Sequence, residues 1–337
     1  MRFYINILST YYPDLDPPYE VYYRQMLEQI ELAEELGFEC FMFNEHHFLG
    51  YGGLIANPAV MLAAAAARTS KIRLGPCIAI LSVRHPLQVA EDYAMVDAIS
   101  GGRLEFGIGL GNTALDYRVY EVPQAEGRAR YQEAHDIIVK AWTHERFSHA
   151  GDFWRFEEIT LYPRPVQQPL PVMWVAGTSP EGLGWAGRNG YHIMTVGHPH
   201  PPDKVSAGVE AWREGLVASG RDPADYHCQY HLRTYVHENA ATARATGEKA
   251  IDRYEAISRI QRKAPLPPGH VYDWAGMLET GRNLYGTPEQ CIEIIHNARR
   301  HYHFDTLTHN FNFGGLPHEE VKKSMRVFAR EVMPAFR

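Results

Sequence analysis

Glu45-His46-His47, set between Phe43-Asn44 and Phe48, is the stretch of this chain best suited to moving protons. Imidazole exchanges protons near neutrality, and a neighbouring acid can orient a ring or hold its charge. The stretch follows Glu39-Cys40-Phe41-Met42-Phe43, an apolar run of strand length, so the three groups fall at a strand end. The plain alternative is one satisfied core histidine and one surface histidine. A metal site made of Glu45, His46 and His47 is disfavoured, because adjacent strand residues point to opposite faces.

A second candidate is Ala176-Gly177-Thr178-Ser179-Pro180, which reads as a strand, a small turn and a helix start. Backbone N–H groups, hydroxyls and a positive helix end at one place suit a phosphate. Capping by Thr178 or Ser179 accounts for the same residues without any ligand. Arg128, at the start of another helical pattern, can add a charge-assisted contact, or is a solvated surface arginine.

The remaining histidines offer less. There are eighteen in all, and none forms HExxH; His198-Pro199-His200 and His301-Tyr302-His303 read as loop or surface residues. Cys40, Cys77, Cys228 and Cys291 lack zinc or CxxC spacing, so reduced thiols in a cytoplasm are the simplest account. The net charge of −7 argues against nucleic acid as the main partner. No apolar run approaches the ~20 residues of a membrane span, and Met1–Leu8 reads as a strand rather than a signal peptide.

The elements that must position these groups alternate along all 337 residues. Strands are expected at 3–8, 39–43, 72–81, 104–108, 172–176, 191–196, 229–236 and 306–310. Helices are expected at 22–36, 58–68, 86–99, 128–144, after Pro180, and at 204–219, 240–262, 288–300 and 317–333. Residues 146–171 read as an inserted hairpin and proline-rich loop, and 263–286 as a long irregular segment. Eight strand–helix units predict an α/β fold, a (β/α)8 TIM barrel with insertions, as a single domain over 1–337. A doubly wound fold would want a glycine-rich turn after the first strand, and Leu8-Ser9-Thr10-Tyr11 is not one. Gly107-Ile108-Gly109-Leu110-Gly111 follows the fourth strand and is weak evidence for a dinucleotide site.

Several blocks now fall in one order: Glu45-His46-His47-Phe48, Asn57-Pro58, His85-Pro86-Leu87-Gln88-Val89-Ala90-Glu91-Asp92 and Ser100-Gly101-Gly102-Arg103. Trp174-Val175-Ala176-Gly177 and Gly286-Thr287-Pro288-Glu289-Gln290 agree. Over nearly its whole length the chain resembles the bacterial luciferase-like flavin-dependent monooxygenases, with most likeness to the luciferase α chain. The resemblance implies a barrel that binds reduced FMN at its C-terminal face. Dioxygen attacks the flavin at C4a, and the peroxide oxygenates an organic substrate. It also implies a separate flavin reductase and a homodimer formed through the second and third helices. His46 matches the family's base, Cys77-Ile78 a non-proline cis peptide under the flavin ring, and Arg128 and Thr178 phosphate contacts.

Three departures stand out. Gly109 replaces a reactive cysteine, Leu110 a phosphate-binding arginine, and Gly177 an acidic residue. They argue against light emission and remove one cation from the phosphate site. Deazaflavin F420 is the alternative cofactor in the same barrel, and a non-catalytic flavin-binding barrel is the alternative role. Strand ends rich in aromatic and aliphatic residues predict a small apolar substrate, such as a carbonyl compound.

Overall fold

The strands are short and buried on both faces, as expected when each is covered by the helix that follows it. The computed structural model describes the chain apart from residues 112, 198–199, 201 and 263–272, and apart from the side chains at 261–262. The first half runs β1 (Arg2–Ile7), α1 (Tyr19–Glu35), β2 (Cys40–Phe43), α2 (Pro58–Arg68), β3 (Arg73–Pro76), β4 (Ala79–Ile80), α3 (Pro86–Ser100) and β5 (Glu105–Gly109). Then come α4 (Ala114–Val119), α5 (Gly127–Thr143) and the hairpin β6 (Phe147–Ala150) and β7 (Arg155–Ile159). Alternation resumes with β8 (Val172–Ala176), α6 (Pro180–Arg188), β9 (His192–Val196), α7 (Pro202–Ala218) and β10 (Cys228–Val236). The chain ends with α8 (Ala240–Arg262), α9 (Trp274–Glu279), β11 (Leu284–Gly286), α10 (Pro288–Tyr302), β12 (Thr306–Asn310) and α11 (His318–Val327).

Parallel pairing runs β3-β2-β1-β12-β10-β9-β8-β5-β4. A bridge between Leu74 and Leu104 closes the ring, so β3 and β4 together fill one of eight barrel positions. The fold is the expected TIM barrel. Its helices start where the sequence signals them. Asn57 Oδ1 accepts the Ala59 N–H at 3.0 Å ahead of α2, and Thr287 and Gln290 form a capping box on α10.

Three expectations need correction. The strand expected over 72–81 is interrupted at Cys77-Ile78, where the peptide is cis and leaves the ladder. The segment expected to be irregular over 263–286 contains α9 and β11; residues 263–272, with Pro265, Pro267, Pro268 and Gly269, lie outside the described residues. Leu284-Tyr285 pairs with Thr234-Tyr235 and is buried, a signal hidden by three-residue length and flanking glycines. The loop after β5 also folds into α4, which had no separate periodicity. The hairpin β6–β7 stands outside the barrel as a two-stranded sheet, as expected.

The lower barrel is plugged by packing. Tyr4, Cys40, Met42, Trp174 and Met194 form one buried cluster. Beneath it the Glu105 carboxylate, 1% exposed, accepts from Tyr4 Oη (3.0 Å), Trp174 Nε1 (2.8 Å) and Arg73 Nε (2.7 Å). A buried carboxylate persists only when its lone pairs are met, and here they are. With that end filled, the open volume lies at the C-terminal ends of the strands.

Candidate active site

A cavity of roughly 780 Å³ opens at that face, a size suited to an organic cofactor with a small substrate. On one side is the break between β3 and β4. Cys77 and Ile78 line the cavity there, and burial pushes the Cys77 thiol up to about 12, so it is no thiolate at neutral pH. Gly109 sits on the adjacent strand β5. A Cβ at Gly109 would lie 2.1 Å from Ile78 Cδ1, so only glycine leaves the isoleucine where it is.

Another side is the turn from β8 into α6. Ser179 caps the helix, its Oγ accepting the Gly182 N–H at 3.2 Å. Arg128, from the first turn of α5, reaches the same spot: a Cβ at Gly182 would lie 3.1 Å from Ser179 Oγ and 3.8 Å from Arg128 Nη1. Thr178 and Gly177 line the cavity beside them. The Gly177 N–H is already committed to the Met194 carbonyl at 3.1 Å, so this glycine offers space rather than a donor. Helix end, hydroxyl and guanidinium converge, as an anion requires.

The proton-transfer groups, just past the end of β2, separate. His46 lines the cavity and packs on the backbone of Gly52, where a Cβ would lie 2.7 Å from His46 Cδ2. Gly52 has φ +76°, so the loop depends on it twice. His47 is buried instead, with Nε2 3.1 Å from Glu45 Oε1 and Nδ1 3.1 Å from the Tyr120 hydroxyl. Glu45 Oε2 accepts the Ile80 N–H at 3.3 Å and lies 3.7 Å from Arg84 Nη1. Asp116 is buried nearby without a hydrogen-bond partner among the described residues; burial and Glu45 push its carboxyl up to about 6, against the pull of His47.

The far side of the cavity carries charge beside the aromatic and aliphatic residues expected at the strand ends. Gln229, His231 and Arg233 of β10 all line it, as do Glu255 and Arg259 of α8, and Arg282. Arg233 Nη2 lies 3.3 Å from Glu255 Oε1, and Arg259 Nη2 lies 3.7 Å from Glu255 Oε2. The Arg233 guanidinium stacks 4.0 Å from the centre of the Tyr254 ring. Burial, with Arg233 close by, lowers His231 to about 3, so it is neutral. His200, in the loop after β9, also lines the cavity, while His301 and His303 are exposed; His198, Pro199 and Asn112 lie outside the described residues.

The family model described as luciferase-like monooxygenase matches residues 1–303. The chain belongs to that family. It is 32% identical over 327 residues to the oxygenase component of the flavin-dependent trigonelline monooxygenase of Acinetobacter baylyi, covering 93% of this chain and 90% of that one. A monooxygenase structure from Streptomyces bottropensis superposes with a TM-score of 0.94 at 30% identity, over 100% of both chains. The FMN complex of the oxygenating constituent of 3,6-diketocamphane monooxygenase from Pseudomonas putida superposes at 0.82 over 99% of this chain and 98% of that one. At 18% identity that likeness speaks for the fold alone.

In this luciferase-like monooxygenase, the polar groups of β10 carried a signal in the sequence. Gln229-Tyr230-His231-Leu232-Arg233 alternates polar and apolar residues, and a buried barrel strand can turn its polar side only inward. Glu255 and Arg259 had none, since four-residue spacing on a helix is usually a solvated face.

Proposed function

We propose that this luciferase-like monooxygenase uses reduced FMN and dioxygen to oxygenate a small molecule, the chain 1–337 working as one barrel domain. The observation that carries the reading is the pairing, within one cavity, of an anion seat with a flat seat. Ser179, Arg128 and Thr178 would hold the FMN phosphate. Cys77, Ile78 and Gly109 would carry the ring system, with Gly177 leaving room beside it. The group fits the residues present. Asn44 Oδ1, Gln229 Oε1 and Asn310 Oδ1 line the cavity as buried polar atoms lacking partners among the described residues, and a ligand with polar edges would satisfy them.

When bound, the flavin supplies dioxygen activation at its C4a carbon. His46, on the cavity wall, holds or returns the proton that this chemistry moves, and Glu45 and Arg84 stiffen the strand end behind it. Closing the lower barrel with Glu105 and its aromatic partners keeps water out from below. A relative named as an oxygenase component supports a two-component arrangement, with a separate reductase delivering reduced flavin. A homodimer is supported by apolar residues left exposed on α2 and α3, and a cytoplasmic location by four cysteines free of disulfides. No described helix is long and apolar enough to cross a membrane.

Titration of the apoprotein with FMN, reduced FMN and F420 tests the cofactor. Arg128→Ala is expected to weaken FMN by about 10- to 100-fold, the loss of one charge-assisted contact, and to leave riboflavin unchanged. Unaltered FMN affinity in that variant would overturn the phosphate assignment, and preference for F420 would overturn the cofactor.

A further inference from the structure

The cavity carries more positive charge than a flavin phosphate explains. Its charged lining consists of Arg128, Arg233, Arg259 and Arg282 against Glu45 and Glu255, in a chain whose net charge is −7. Glu45 faces His47 and Arg84, and Arg128 serves the α6 end. That leaves Arg233 and Arg259 against the Glu255 carboxylate, with Arg282 on the same lining.

The sharing is loose. Arg233 reaches Asn283 Oδ1 at 3.4 Å and Glu255 at 3.3 Å, both long, and its Nε is buried without a hydrogen-bond partner among the described residues. A guanidinium has five donors, and burying it with so few short contacts is costly unless an anion completes the set. Arg282 Nε bonds only the Thr280 hydroxyl, at 3.0 Å, and meets no carboxylate among the described residues. This wall stands at the end of β10, with β9 between it and the β8–α6 turn. Strand spacing puts the two strands about 10 Å apart, beyond the span of one phosphate.

We propose that the substrate of this enzyme is an organic acid whose carboxylate is held by Arg233, Arg259 and Arg282 on the wall facing the flavin seat. The inference rests on the flavin reading for what is done to the substrate, and on the wall itself for what is recognised. Glu255 keeps two of the arginines apart and aligned, and Tyr254 fixes the plane of the first. Neutral His231, one strand pitch further in, contacts the body of the acid without charge.

The test is calorimetric titration of FMN-loaded protein with benzoate, nicotinate and hexanoate, each beside its amide. At least one acid is expected to bind about tenfold or more tightly than its amide, as a charge-assisted contact predicts. Arg259→Met and Arg282→Met should each erase most of that preference at unchanged FMN affinity. Arg233 is left in place, since its stacking on Tyr254 makes it a folding risk. Acids that bind no better than their amides, or a preference that survives both substitutions, overturn the proposal. So does F420 binding that weakens in Arg259→Met, which would give the wall to a cofactor tail. Should FMN not bind at all, the flavin reading fails separately, and the same titrations on ligand-free protein still decide the carboxylate site.

Discussion

Ile78 occupies the space that any side chain at position 109 would need, its Cδ1 lying 2.1 Å from where a Gly109 Cβ would stand. The two residues come from adjacent barrel positions, and β4 pairs with β5 through Ile80 and Gly109. The absent side chain on one strand lets the other strand's isoleucine lie flat against the cavity.

Gly109→Cys is therefore expected to push Ile78 off its seat. Overpacking of this kind costs about 1–3 kcal/mol. Denaturant unfolding should show that loss, and FMN affinity should fall with it. Full stability together with wild-type FMN affinity would mean that the isoleucine does not define the seat.

His46→Ala and His47→Ala are expected to part company. His46 faces the cavity, so its loss should leave folding intact, cut product formation and divert oxygen to hydrogen peroxide. His47, itself buried, bridges Glu45 and the partly exposed Tyr120. Its loss strips buried polar partners, at about 1–3 kcal/mol, and should lower the melting temperature first. Equal coupling of oxygen to product in wild type and His46→Ala would remove His46 from the chemistry.

Val60 on α2 and Met95 and Ile99 on α3 are 66%, 50% and 49% exposed, beside the small side chains of Ala63, Ala64 and Ala67. Two packed helices with an apolar, smooth outer face suit a two-fold contact. Light scattering at micromolar concentration should give a dimer mass, and Met95→Glu should move it to the monomer. A monomeric wild type would end the dimer reading.

Acid should destabilise the fold from about pH 6.5 downward. Burial, aided by His227 for His192 and by Arg233 for His231, lowers both imidazoles from 6.5 to about 3, and burial lowers His309 as well. The unfolded chain takes up these protons in a window where the folded chain does not, so stability falls as pH drops. Asp116 opposes this: its folded carboxyl takes a proton near 6 and its unfolded one near 3.8, so acidification across that window stabilises. Three imidazoles outweigh one carboxyl. Denaturant midpoints should drop between pH 7 and 5, and Asp116→Asn should steepen the drop while raising stability at pH 7. A midpoint that rises on acidification would contradict the neutral burial of the histidines.

The barrel was legible because its information is local and repeated. Apolar runs of strand length recur in every unit, with capping residues such as Asn57 and Thr287 on some of the helices, and eight such units leave few topologies open. Glu45-His46-His47 and Thr178-Ser179 were legible for the same reason, since the ends of barrel strands share one face. Contacts between neighbouring units of the barrel were not. That Arg128 meets Ser179, that Ile78 needs Gly109 bare, and that Arg233 and Arg259 flank Glu255 depend on side chains far apart in the chain. Only closure of the sheet sets those distances. Polar residues on β10 were readable as a pattern, but their charge became chemistry only when the ring turned it inward and α8 set Glu255 against it.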